Sequence, residues 1–144
     1  MKNELSNQEI DVVLSDYLGI KKGTLIIRGS NKDGSVVATP FSPTTNDADA
    51  INAINRFGLM TQVSVQTQVK TLRMSDQSFF QSWTCTLIDT IKLTTTSKFS
   101  EKFSMAVSLA LLEYVEKNAS HHVQNMLFNK SCFEAKESIK SHSK

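Results

Sequence analysis

Phe103-Ser104-Met105-Ala106-Val107-Ser108-Leu109-Ala110-Leu111-Leu112-Glu113-Tyr114-Val115 is the stretch that decides the fold. Phe103, Ala106, Val107, Ala110, Leu111, Tyr114 and Val115 recur at helical spacing, and Met105, Leu109 and Leu112 carry apolar character almost around the axis. No charged residue interrupts the run between Lys102 and Glu113. A helix that is apolar on most sides must be enclosed on most sides, so a central helix is predicted here. Phe99-Ser100-Glu101-Lys102 predicts its start, with Ser100 as N-cap and Phe99 at the hydrophobic-staple position.

The enclosing elements are sought upstream. In Ser82-Trp83-Thr84-Cys85-Thr86-Leu87-Ile88, the residues Trp83, Cys85 and Leu87 fall on one face of a strand. Leu59 to Met74 reads as extended, with Val63 and Val65 alternating with Gln62, Ser64 and Gln66. Ser75-Asp76-Gln77-Ser78 breaks the pattern, and Ile91 to Thr96 extends the ladder. Such one-sided alternation predicts a mainly antiparallel sheet covered by helices. Further upstream, Ser6-Asn7-Gln8-Glu9 has capping-box spacing and opens a helix over Ser6–Leu18, with Gly19 as its stop. Thr24–Arg28 and Ser35–Thr39 read as two strands joined through Asn31-Lys32-Asp33-Gly34. A short helix is predicted over Asp47–Arg56, ended by Gly58, with Asp47 and Asp49 as favourable first-turn charges. Downstream, the spacing of Val123, Met126 and Leu127 is helical, and the remainder forms one terminal helix or two pieces.

The fold class expected is therefore α+β, with a C-terminal helical extension. The 144 residues suit one domain. A compact unit is expected over 1–128, and a frayed or weakly packed tail over 129–144, where apolar side chains thin out. Apolar residues at 40% and charged residues at 21% are ordinary for a globular protein. Cys85 and Cys132 are too few for a disulfide scaffold or a four-cysteine metal centre. The opening MKNELSNQEI lacks an apolar signal core and no run approaches membrane-spanning length, so a cytoplasmic protein without membrane contact is expected.

Chemical motifs are sparse. There is no phosphate-binding glycine loop, no dinucleotide fingerprint and no HExxH, and no cofactor or metal is expected. His121 and His122 are adjacent, and neighbouring helix residues point about 100° apart, which argues against their gripping one ion. An enzyme or small-ligand site would require His121, His122 or Cys132 to converge in a cleft through the tertiary fold. Cys85 is expected to be a buried small hydrophobe, and Trp83 to anchor a helix on the sheet. Phe79 and Phe80 should face opposite ways in a strand, leaving one exposed as a contact surface. With Lys21, Lys22, Arg28, Lys70 and Arg73 they form the binding candidates. His121, His122, Met126, Leu127 and Phe128 are interface candidates, for a partner or a second copy.

The order of PFSPTTNDADAINAINRF, the two extended segments, WTC and SEKFSMAVSLALLEYV resembles the NinX-like, or ABA-sandwich, group of small phage proteins. The matching residues are Asn46, Asp47, Ala50 and Ile54, then Trp83 and Cys85, then Ala106, Ala110 and Leu111, within Thr39–Val115. The group's aromatic–Ser–Thr run before the first helix is replaced here by Phe41-Ser42-Pro43-Thr44. The resemblance implies phage origin and expression in a bacterial host, and it transfers no catalytic residue. A non-catalytic accessory protein that binds a host protein or complex, as in blocking a defence system, is the expectation. Nucleic-acid binding through the scattered cations and an exposed aromatic ring is the weaker alternative.

Overall fold

In a computed structural model of the chain, the described residues are 5–21 and 23–142, with side chains described as far as Cys132. The candidate Lys22 lies outside the described residues. The fold is α+β. In chain order the elements are α1 (Asn7–Tyr17), β1 (Leu25–Ser30), β2 (Val36–Pro40), α2 (Asp47–Met60), β3 (Ser64–Arg73), β4 (Phe79–Asp89), β5 (Thr94–Ser100), α3 (Phe103–Asn118) and α4 (His121–His142).

The predicted central helix is central. Ala106, Val107, Ala110, Leu111 and Val115 of α3 are buried, as are Cys85 and Leu87 on the sheet face it covers. Trp83 meets Phe103 edge-on at 5.2 Å, which is the helix-to-sheet anchor expected of it. On its other side α3 packs against α1, α2 and α4. Phe57 of α2 and Leu14 of α1 are fully buried there, and Tyr114 stands edge-on to Phe57 at 4.9 Å. The Ser6–Glu9 capping box is formed in both directions, and Gly19 leaves α1 with φ of +75°.

The strands form two antiparallel sheets, β1–β2 and β3–β4–β5. In the larger sheet, β3 pairs with β4 from Ser64↔Ile88 to Arg73↔Phe79. β5 pairs with β4 only from Asp89↔Thr94 to Trp83↔Ser100. Phe79–Ser82 therefore has a neighbour on the β3 side alone, and the outer half of β3–β4 projects as a two-stranded arm.

The loop Phe41–Asn46 fastens the helices together. The Thr44 amide and hydroxyl each donate to the Asp11 carboxylate of α1 at 3.0 Å. Ser104 of α3 donates to the Thr44 carbonyl at 3.0 Å, and the Ser42 amide donates to Asp49 of α2 at 2.8 Å. Buried polar groups need such partners, and this loop both receives and supplies them.

Several boundaries differ from the sequence expectation, among them the start of β4, which lies at Phe79 rather than Ser82. α2 passes Gly58 and ends at Met60, because Phe57 is a core residue and Thr61 closes the helix by donating its amide and hydroxyl to the Phe57 carbonyl at 3.0 and 2.9 Å. Leu59 and Met60 are accordingly helical rather than extended. Thr90–Leu93 is a turn, so the third strand lies later than Ile91–Thr96. It takes in Phe99 and Ser100, which pair across to Thr84 and Trp83. Ser100 is therefore not the N-cap of α3. That position is held by Lys102, which makes no side-chain cap bond.

Candidate functional site

Two surfaces gather the sequence-derived candidates. One is a cleft of about 450 Å³ between α1, α4 and the segments around residues 20–24 and 40–42. It brings Lys21 to His122 and Met126 across a long stretch of sequence. His122 Nδ1 bonds the Asp16 carboxylate of α1, and its ring stands edge-on to Tyr17 at 5.6 Å. The His121 ring lies 4.0 Å from that of His122, between centroids. Met126 packs against the core, Leu127 is half-buried, and Phe128 is 67% exposed. Cys132 does not line this cleft, and about 15 Å of helical rise separates it from His122. Histidine and thiol thus do not converge.

The Asp11 carboxyl at the cleft wall is raised above its ordinary value, because burial and the Asp49 charge outweigh the two Thr44 hydrogen bonds. Among the described residues no group of three or more His, Cys, Asp or Glu side chains could hold a metal ion. No described helix is long and apolar enough to cross a membrane.

The second surface is the β3–β4 arm, which carries Lys70, Arg73, Phe79 and Phe80. Arg73 lies directly across from Phe79, Leu72 from Phe80, and Lys70 from Ser82. Cross-strand partners share a face, so Arg73 and Phe79 occupy one face of the arm, and Lys70 and Phe80 the other. Phe79 is 71% exposed, whereas Phe80 is half-buried, as the alternation of adjacent strand residues requires. The tip is a tight turn in which Asp76 accepts from the Ser78 amide at 3.0 Å and Gln77 has φ of +71°. Arg73 donates to Gln77 at 2.6 Å, which holds the guanidinium near that tip.

Beside the free edge of the arm lies a groove of about 540 Å³. Phe80 and Ser82 form one wall, Phe99, Lys102 and Met105 the other, and Thr44 lies at its end toward α1.

Arg28 is committed elsewhere. β1 skips a residue between Ile27 and Gly29, which leaves Arg28 out of the ladder. Its guanidinium reaches Asp49, the Pro40 carbonyl and the Thr39 hydroxyl. Asp49 thereby serves as an ion-pair partner as well as a first-turn charge. Burial pushes the Asp49 carboxyl up, but the Arg28 and Ser42 hydrogen bonds and the Arg28 charge outweigh it, and the net direction is down. Cys85 is fully buried, and burial pushes its thiol up to about 11.

Comparison of the chain with protein-family models, with curated proteins and with solved structures finds no match. Asp16 and Phe99 are site residues that the sequence does not mark as binding or interface candidates. Asp16 is 106 positions from His122, and no local pattern links them. Phe99 stands beside so strong a helix signal that it reads as the hydrophobic staple before that helix rather than as a strand residue.

Proposed function

We propose that this chain is a small phage accessory protein that acts by non-catalytic binding to a host protein in the bacterial cytoplasm, with the β3–β4 arm as its contact surface. The observation that carries this reading is the arm itself. It extends beyond the cover of β5 and sets an exposed Phe79 directly across from Arg73. Aromatic and Arg side chains are the residue types that dominate binding energy at protein interfaces. The phage and host parts rest on the resemblance in Thr39–Val115.

The test is capture from bacterial lysate with wild type, an arm variant (Arg73→Glu with Phe79→Ser) and an α4 control (Phe128→Asp). A saturable partner kept by wild type and control, and bound at least about tenfold more weakly by the arm variant, supports the proposal. Equal capture by all three overturns the arm assignment, and no saturable partner overturns protein binding.

A single-stranded nucleic acid is the second reading, because Arg73 and Phe79 place a cation beside a stacking ring. Anisotropy titration of a single-stranded oligonucleotide tests it. Tight binding that weakens steeply with salt supports it, and no binding at low salt removes it.

A further inference from the structure

We infer that the lane beside Phe79–Ser82 of β4 takes up an extended, acidic segment of a partner protein as an added β-strand. This rests on the arm as the contact surface and names how the partner is held there.

The lane follows from the register. β5 is the neighbour of β4 as far as Trp83↔Ser100, after which its chain turns off through Glu101 and Lys102 into α3. β4 continues to Phe79 with β3 on its other side. In an antiparallel ladder successive residues alternate in the direction of their backbone groups, so half of the N–H and C=O groups of Phe79–Ser82 point into the vacated lane. An incoming strand would continue the β5 position, with main-chain hydrogen bonds giving affinity and side-chain pockets giving selectivity.

Other edges are open as well. β3 has a free outer edge, and both strands of the β1–β2 sheet are edges. The groove against β1 and β2 is lined by the Arg28–Asp49 pair, Thr39, Asn46 and Asn52 beside Ile26 and Ile27, whereas the groove at the β4 lane carries large apolar side chains on both sides, Phe80 on one and Phe99 and Met105 on the other. Phe99 is 74% exposed although it sits on a paired strand, which leaves an apolar wall uncovered along the lane. The charge of the occupant follows from the rim. Lys102 lines the groove, Lys70 lies directly across from Ser82, and neither has a carboxylate partner among the described residues. Arg73 adds a third cation at the arm's end, against two carboxylates, Glu101 on the rim and Asp76 in the tip turn, which leaves one cation in excess. An occupant with alternating apolar and acidic residues complements both the apolar wall and this excess of cations.

The test uses the full chain and a blocked seven-residue peptide that alternates valine and glutamate. Its comparison probes are the same peptide with lysine for glutamate and a short oligo-dT. Hydrogen exchange and light scattering are followed with and without each probe. The expected result is binding of the glutamate peptide with exchange of the lane-facing amides of Phe79–Ser82 slowed about tenfold or more, and no slowing along the outer edge of β3. Phe99→Ala, at an exposed site that leaves the core intact, should weaken binding about tenfold, and Lys102→Glu about threefold.

Equal binding of the lysine peptide, protection along β3 instead, binding of oligo-dT alone, or concentration-dependent pairing of two chains through the lane would each overturn the inference. Failure here is separable from failure of the arm assignment. If the Arg73/Phe79 variant loses a captured partner while the lane stays unprotected in the complex, the arm stands and strand addition falls.

Discussion

Arg28 and Asp49 form a two-point ion pair between the β1–β2 hairpin and α2, with Nη1–Oδ1 at 2.7 Å and Nη2–Oδ2 at 2.6 Å. The Asp49 side chain is 4% exposed and that of Arg28 19%. An isolated two-stranded hairpin is marginal in water, and this pair is its main polar attachment to the body. Removing one member of such a pair leaves the other charge without its partner. Arg28→Ala should therefore cost about 2–4 kcal/mol in urea unfolding. It should also speed exchange of the β1–β2 amides more than those of β4. A loss under about 0.5 kcal/mol would show that the hairpin is held by other contacts.

The same pair sets an acid limb of stability. The Asp49 carboxyl lies below its ordinary value in the folded protein. Its contribution is therefore complete above the unfolded value of about 3.9 and is lost as pH falls through the folded value. Asp11 has the opposite sign, since its carboxyl is raised, and the penalty it imposes at neutral pH is relieved as pH falls. Asp49→Asn should be less stable than wild type at pH 7 and lose less on acidification. Parallel acid limbs in urea midpoints from pH 3 to 7 would contradict this.

The two thiols should react at very different rates. Cys85 is fully buried with its thiol pushed up to about 11, while Cys132 is exposed on α4. The thiolate is the reactive form, so an aromatic disulfide reagent at pH 8 should titrate one thiol per chain quickly. The second should appear only on unfolding. Two fast thiols would refute the burial of Cys85.

Ser104 and Ser108 are both buried on α3, one turn apart, and only Ser104 has a partner. Ser108→Ala removes an orphaned hydroxyl and should stabilise by about 0.5–1 kcal/mol. Ser104→Ala leaves the Thr44 carbonyl short of a donor and should destabilise by about 1–2 kcal/mol. Thermal melts of the two variants should move in opposite directions, and matching shifts would contradict the assignment.

On α4, Met126 packs against the core while Phe128 faces solvent. Met126→Asp should cost about 2–3 kcal/mol, because it places an unpaired charge on a packed contact. Phe128→Asp should change stability by less than about 0.5 kcal/mol. Light scattering then separates packing from association. A wild-type dimer that Phe128→Asp dissociates without unfolding would place a self-interface on this helix face.

Much of the fold was legible in local chemistry. The capping box at Ser6 and Glu9, the apolar girth of α3, the alternation around Trp83, Cys85 and Leu87, and the Asp33-Gly34 turn each act over a few residues. Boundaries were less legible where tertiary packing overrides a local signal. Phe57 in the core carries α2 through Gly58, and pairing with Thr84 and Trp83 holds Phe99 and Ser100 in a strand that the adjacent helix signal hides. Of the binding candidates, alternation made it legible that one of Phe79 and Phe80 is exposed, and the fold decided that it is Phe79. The commitment of Arg28 to Asp49 was not legible, because it depends on a bulge and on a residue 21 positions away.

The sequence by itself determined the α+β class, the central helix and the buried thiol of Cys85, since hydrophobic periodicity and capping are properties of neighbours along the chain. The tertiary structure decided which surfaces the candidates share. It brought His122 to Asp16, split Lys70 and Arg73 between opposite faces of one arm, and stopped β5 short of Phe79. Those outcomes depend on strand register and helix docking. Both are set by how distant apolar faces close on one core, and no local spacing encodes that closure.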